Sequence, residues 1–249
     1  MRIPKPDLLS PHSTRPRWHV VDDSNWLATA LSWVNQAAEA ALTARGNFHL
    51  VLAGGVTPET LYRALATQPQ DWSRWHIWFG DERCLPRQDP QRNSRMASAA
   101  WLDQVGIPEA NIHIIPAEHG APTAAKLYAE QLHDQGTFDL VLLGLGQDGH
   151  TASLFPGYEF PNQTDGSATG SSDVMPVFDA PKPPPERVTL SAQRLSDARC
   201  VLFLIRGADK REALSAWRQG VNIPAAAIHP DAGVDLLIDT DACPPGELE

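Results

Sequence analysis

The stretch of the 249-residue chain that carries the most chemistry is Gly144-Leu145-Gly146-Gln147-Asp148-Gly149-His150-Thr151-Ala152-Ser153-Leu154-Phe155-Pro156. An imidazole with an ordinary pKa of about 6.5 is largely neutral at physiological pH and can take a proton from water. A nearby carboxylate can fix its tautomer or support its charged form. His150 is therefore the candidate general base and Asp148 its partner. Side chains two residues apart point the same way only in an extended chain, so spacing alone does not bring the two into contact. A plainer alternative makes Asp148 a turn residue and His150 a cap of the following turn. Three glycines around a histidine weigh for chemistry.

Elsewhere in the chain, other segments offer groups for an anion. Ala53-Gly54-Gly55-Val56-Thr57-Pro58 has two glycines that let backbone N–H groups approach a ligand, with Thr57 able to add a hydroxyl. The same residues also spell a tight turn with Thr57 as N-cap and Pro58 at the first helical position. Gly80-Asp81-Glu82-Arg83 sets two carboxylates before a guanidinium, which suits either a phosphate or a solvated turn held by a local ion pair. Arg187 follows Pro183-Pro184-Pro185-Glu186, and Lys210 closes Gly207-Ala208-Asp209-Lys210. A lysine at a helix start opposes the helix dipole unless an anion is shared there. Taken singly, each of these two cations reads as a surface residue.

These segments fall where an alternating α/β chain would put them. Strands are expected at Arg17–Asp22, Phe48–Ala53, His76–Phe79, Asn111–Ile115, Phe138–Leu145, Arg187–Leu190, Arg199–Ile205 and Val234–Ile238. Between them lie helices: one with Leu27, Leu31, Val34, Ala38 and Ala41 on its face and Gly46 at its end, one opened by Thr57-Pro58, and others near 93–105, 122–133 and 209–219. Repeated alternation implies a Rossmann-like, mainly parallel sheet with helices on both faces and room for a small additional α/β subdomain. In such sheets ligands sit beyond the carboxyl ends of the strands, which is where the motifs above lie. The Pro-, Gly- and Ser-rich segment Pro156–Glu186 reads as a long loop. A Pro-rich arm is expected over residues 1–16, a single domain over 17–240 and a tail over 241–249.

Composition narrows the partners. The chain has 20 Lys and Arg against 30 Asp and Glu, a net charge of −10 without basic clusters, which argues against nucleic acid and anionic membrane. From Gln219 to Glu249 there are six acids and no Lys or Arg, so the excess is expected mostly in a tail away from any phosphate. No apolar run is long enough to span a bilayer and the Pro-rich start is unlike a signal peptide, so a cytoplasmic location is expected. Cys84, Cys200 and Cys243 are scattered and read as reduced thiols. Trp72, Trp75 and Trp78 read as packing, and the nine histidines lack metal-ligand spacing. Oligomeric state has no reading in the sequence.

The segments AGGVTP, WFGDERCLP, Asn93-Ser94, FDLVLLGLGQDGHTASLFPG, ERVTLS, GADK and NIPAAAI, in this order, resemble the 6-phosphogluconolactonase family. That family lies within a broader group holding glucosamine-6-phosphate deaminases and ribose-5-phosphate isomerases. The resemblance implies hydrolysis of 6-phospho-D-glucono-1,5-lactone to 6-phospho-D-gluconate in the oxidative pentose phosphate pathway, with no metal or organic cofactor. It assigns His150 as base and Asp148 as its orienting acid, with Arg187 and Lys210 holding the phosphate beside Gly54, Gly55 and Thr57. Arg83 would bind the phosphate or polarise the carbonyl. The family's glycine loop usually reads SGGSTP, so Ala53 and Val56 here replace two hydroxyls. The related deaminases carry a Glu five residues after the histidine, where this chain has Phe155, which disfavours a deaminase or isomerase. A sugar-phosphate sensor without turnover would need a DNA-binding element for which the residues before the first strand leave no room.

Overall fold

The computed structural model describes residues 15–158 and 173–244. Most of the expected Pro-rich arm, the middle of the Pro156–Glu186 segment and the last five residues lie outside them. Ten strands are present among the described residues: β1 (Arg17–Val21), β2 (Phe48–Leu52), β3 (Trp75–Phe79), β4 (Asp81–Arg83), β5 (Ile112–His113), β6 (Leu140–Gly144), β7 (Val174–Val177), β8 (Arg187–Leu190), β9 (Val201–Ile205) and β10 (Val234–Asp239). The α-helices are α1 (Asp23–Arg45), α2 (Val56–Leu65), α3 (Asn93–Ala100), α4 (Ala121–Leu132), α5 (Ala192–Ser196) and α6 (Arg211–Arg218).

Seven strands form one sheet in the order β1-β10-β9-β6-β2-β3-β5, and every neighbouring pair is parallel. Near-continuous apolar runs such as Val201–Ile205 and Leu140–Leu143 are buried throughout, as strands covered on both faces must be. The chain travels outward from β2 through β3 to β5, then returns to the other side of β2 with β6 and proceeds through β9 to β10. Its direction therefore reverses between β2 and β6. Loops leaving the carboxyl ends of those two strands diverge there and open a crevice.

The small additional element is a three-stranded antiparallel sheet, β4-β8-β7, against which α4 packs. Gly80 alone separates β3 from β4. Its N–H donates to Leu52 O in the large sheet (3.0 Å) and its carbonyl accepts from Leu190 N–H in the small one (2.8 Å). The stretch after Gly80 is thus a strand and not the turn its polarity suggests, because Asp81 and Glu82 find partners inside the protein. The expected loop Pro156–Glu186 likewise contains β7.

The face of α1 is rotated from the expected one. Trp26, Ala30, Trp33 and Ala37 are buried together with Val34, Ala38 and Ala41, while Leu27 and Leu31 flank them half-buried. Two tryptophans outweigh two leucines in apolar area, and Trp26 Nε1 also donates to Leu237 O across the core (3.3 Å). Gly46 ends the helix in the left-handed region (φ 82°), as expected. The six acids after Gln219 are not all a solvated tail: Asp235 and Asp239 are buried in β10. Asp235 receives Arg17 Nε (2.8 Å) and Nη2 (2.7 Å) and lies 2.8 Å from His19 Nε2. Asp239 accepts from the N–H groups of Gly207 (3.1 Å) and Ala242 (2.8 Å).

Candidate active site

A cleft of about 250 Å³ opens at the reversal between β2 and β6 and is lined by the loops after β2, β3 and β6. After β6 the chain folds back on itself: Gly146 N–H donates to His150 O (2.8 Å) and Gly149 N–H to Gly146 O (3.0 Å). Both the backbone N–H of His150 (3.3 Å) and its ring Nδ1 engage Asp148 Oδ1. The turn, not an extended chain, is what brings the expected pair into contact. Gly146 is required because a Cβ there would lie 2.0 Å from His150 Nδ1 and 2.6 Å from Asp148 Oδ1. The turn is braced from afar, with Ala225 N–H donating to Gly149 O (3.0 Å).

With Nδ1 donating to Asp148, neutral His150 keeps its lone pair on Nε2. Burial pushes the His150 pKa below its ordinary 6.5, and the Asp148 carboxylate offsets this only in part. Burial also acts upward on Asp148, but the hydrogen bond and charge of His150 outweigh it and hold that carboxyl below its usual range. At neutral pH the pair is a neutral imidazole on an ionised carboxylate. One face of the imidazole meets the buried Phe155 ring at 4.8 Å between centroids.

The second wall comes from β4 and α3. Asp81 is buried at the cleft, its Oδ2 accepting from Ser153 Oγ (2.6 Å) and its Oδ1 from Asn93 Nδ2 (2.9 Å). Glu82 points the other way, fully buried, and accepts from the first N–H groups of α3 at Asn93 (2.7 Å) and Ser94 (2.8 Å). A carboxylate at that end complements the helix dipole. It is balanced by buried Arg92, whose Nε lies 3.3 Å from Glu82 and whose Nη1 reaches Glu118 (2.7 Å). This sets Asn93 against Gly54, where an added Cβ would stand 2.0 Å from Asn93 Oδ1.

Of the residues expected to bind phosphate, Gly54, Gly55, Arg83, Arg187 and Lys210 line the cleft. Thr57 does not: Gly55 takes the N-cap position, so Thr57 is already inside the first turn of α2 and Val56 faces solvent. The start of the loop is fixed from behind by Tyr62, whose hydroxyl donates to Ala53 O (2.8 Å) and accepts from Ala53 N–H (3.0 Å). Lys210 Nζ rests on Asp209 (2.8 Å), which also accepts from Gln147 Nε2 (2.9 Å). Arg187 donates through Nε and Nη2 to backbone carbonyls at 182–184, its guanidinium 5.5 Å over the Phe155 ring.

Sequence reasoning missed Lys182 and the individual parts of Asp81 and Asn93, all of which line the cleft. Asp81 stood in a recognised motif but was not separable from Glu82, since only the fold decides which carboxylate faces out. Lys182 is the one cation in a run of prolines, and nothing in its spacing marks it.

The fold and site together define a parallel-sheet α/β protein with a cleft lined by several cations beside an Asp–His pair. Residues 22–237 match the family described as glucosamine-6-phosphate isomerases/6-phosphogluconolactonase, and the chain belongs to that family. It is 39% identical to a 6-phosphogluconolactonase of Synechocystis over 86% of this chain and 90% of the relative. The crystal structure of 6-phosphogluconolactonase from Thermotoga maritima superposes with a TM-score of 0.82 at 26% identity, covering 91% of this chain and all of that one. That from Trypanosoma brucei gives a TM-score of 0.81 at 26% identity over 92% and 98% of the two chains. Among the described residues no helix is long and apolar enough to cross a membrane.

Proposed function

We propose that the protein hydrolyses 6-phospho-D-glucono-1,5-lactone to 6-phospho-D-gluconate, the lactone-opening step of the oxidative pentose phosphate pathway. The observation that carries the reading is the Asp148–His150 pair standing in one cleft with the Gly54-Gly55 loop and several cations. In this reading His150 Nε2 takes a proton from water as the water oxygen attacks C1. The carbonyl electrons move onto oxygen, then return as the bond from C1 to the ring oxygen breaks. The departing ring oxygen takes the proton back from His150, and the product carboxylic acid ionises. Asp148 holds the imidazole in the tautomer that leaves Nε2 free and supports the transient imidazolium.

The phosphate lies against the N–H groups of Gly54 and Gly55 at the start of α2, with Arg83, Arg187 and Lys210 supplying charge. Anchoring this remote group converts its binding energy into orientation of the ester carbonyl. Asp81 and Asn93 serve the sugar hydroxyls between the two ends. Phe155 supports hydrolysis over deamination, since an apolar ring cannot act as the acidic residue of the related deaminases. A cytoplasmic location is supported by three unpaired thiols, two of them buried.

The test is to generate the phosphorylated lactone in situ and follow its decay with and without the protein. Acceleration well above the spontaneous rate is expected at micromolar protein. Decay at the spontaneous rate, with 6-phosphogluconate still bound, would instead favour a sugar-phosphate sensor.

A further inference from the structure

Lys182 lies in the cleft with its Nζ 4.0 Å from Asp148 Oδ1, the same oxygen that holds the His150 ring. That separation is beyond a hydrogen bond, and among the described residues the ammonium has no closer partner. Its donors are therefore open to a ligand. The other cations of the cleft are more committed: Lys210 rests on Asp209 at 2.8 Å, and Arg83 Nη1 donates to Gln91 O.

The segment that carries Lys182 is stiff. Pro181, Pro183, Pro184 and Pro185 surround it, each with its φ fixed by the ring. Buried Arg187 grips the backbone from below, with Nη2 donating to the carbonyls of Lys182 (3.0 Å) and Pro183 (3.2 Å) and Nε to that of Pro184 (3.0 Å). Arg187 is itself fixed by its place in β8 opposite Arg83 of β4 and by Phe155, the ring that also packs on His150. One rigid assembly thus sets the base and the ammonium side by side.

We propose that Lys182 is the electrophilic residue of the lactonase site, donating to the carbonyl oxygen of the lactone as water attacks, with Arg187 as its positioning residue. The inference rests on the lactonase reading. As the C1 carbonyl becomes tetrahedral its oxygen takes the negative charge, and a preset ammonium lowers that barrier without being consumed. The proton from water goes to His150, so Lys182 stays protonated throughout. A donor to a developing oxyanion acts on kcat more than on ground-state affinity.

Lys182→Met is the informative variant, since the side chain is half exposed and its loss leaves the fold intact. kcat for the phosphorylated lactone should fall about 100-fold, the low end for loss of an oxyanion donor, with KM little changed. A second readout follows from the charges facing His150, which are Asp148, Asp81 and Lys182. Lys182 holds the imidazole pKa down, so its removal should shift the acid limb of kcat/KM to higher pH. Lys182→Arg, which keeps the charge, should restore most of the limb and part of kcat. If Lys182→Met is folded and turns over like wild type, or loses only KM, Lys182 is not the electrophile and belongs with the phosphate cations. If wild type itself fails to accelerate decay, the lactonase reading falls, and this proposal with it.

Discussion

Among the described residues, two aspartate–histidine pairs stand in different surroundings. Asp148 and His150 share a turn at the carboxyl end of β6, whereas Asp235 and His19 meet across β10 and β1. In the second pair Arg17 forks onto both Asp235 oxygens, and the His19 ring lies edge-on to Trp33 at 4.9 Å. Burial acts upward on the Asp235 carboxyl, but hydrogen bonds from His19 and Arg17 outweigh it and hold the carboxyl below its usual range. Asp148 has no such fork and His150 opens on a cleft. A carboxylate beside an imidazole thus clasps two strands in one place and lines a cleft, where we propose the imidazole acts as base, in the other; the arginine and the cleft make the difference.

The widest gap between the two pairs should appear in turnover. His150→Ala is expected to lower kcat at least about 100-fold while 6-phosphogluconate still binds, whereas His19→Ala leaves kcat unchanged. Equal losses in steady-state assays would erase the distinction. Stability should reverse the order. Asp235→Ala is expected to cost about 2 kcal/mol in urea unfolding, less than orphaning a fully buried ion because Arg17 and His19 reach solvent, with the kcat of the folded fraction retained.

Asp148→Asn should lower kcat about tenfold, the rate equivalent of one charge-assisted hydrogen bond of about 1.5 kcal/mol. Because Asp148 raises the His150 pKa, the acid limb should also move to lower pH, opposite to the shift expected for Lys182→Met. A limb that stays in place would break the link between the two groups. In the wild type that limb is expected below pH 6.5, where an unperturbed imidazole would titrate, because burial lowers the His150 pKa; a pH profile of kcat/KM checks this.

The smallest effect belongs to histidines outside both pairs. His49 stacks on His76 at 4.5 Å, and burial pushes the pKa of both His49 and His113 down to about 4. The unfolded chain binds more protons than the folded one between about pH 6.5 and these values, so stability falls as pH drops through that window. Replacing His113 by Phe should flatten the fall in a series of thermal unfolding curves.

Legibility in the sequence followed the range of the interaction. β2, β3, β6 and β9 were readable because strands covered on both faces are continuously apolar, and His150 with its glycines was readable because the turn is local. The small sheet was not, because β4 is three polar residues made buriable by Ser153, Asn93 and Ser94 from elsewhere in the chain. The Asp235–His19 clasp joins residues 216 apart, and no spacing rule reaches that far. Lys182 was invisible for a related reason: its position depends on Arg187 and on a turn built after β6.

The place of β10 bears on the order in which the molecule can be assembled. β1 forms one edge of the large sheet and pairs with β10, while β10 pairs on its other side with β9. Among the described strands β1 is made before its partner β10 by more than 200 residues, and closing so long a loop slows formation of that contact. The brace on Gly149 from Ala225 also arrives late. A nascent chain can therefore hold β2, β3 and β6 together well before the Asp148–His150 turn is braced, and the proposed activity should emerge only after the segment around Ala225 docks.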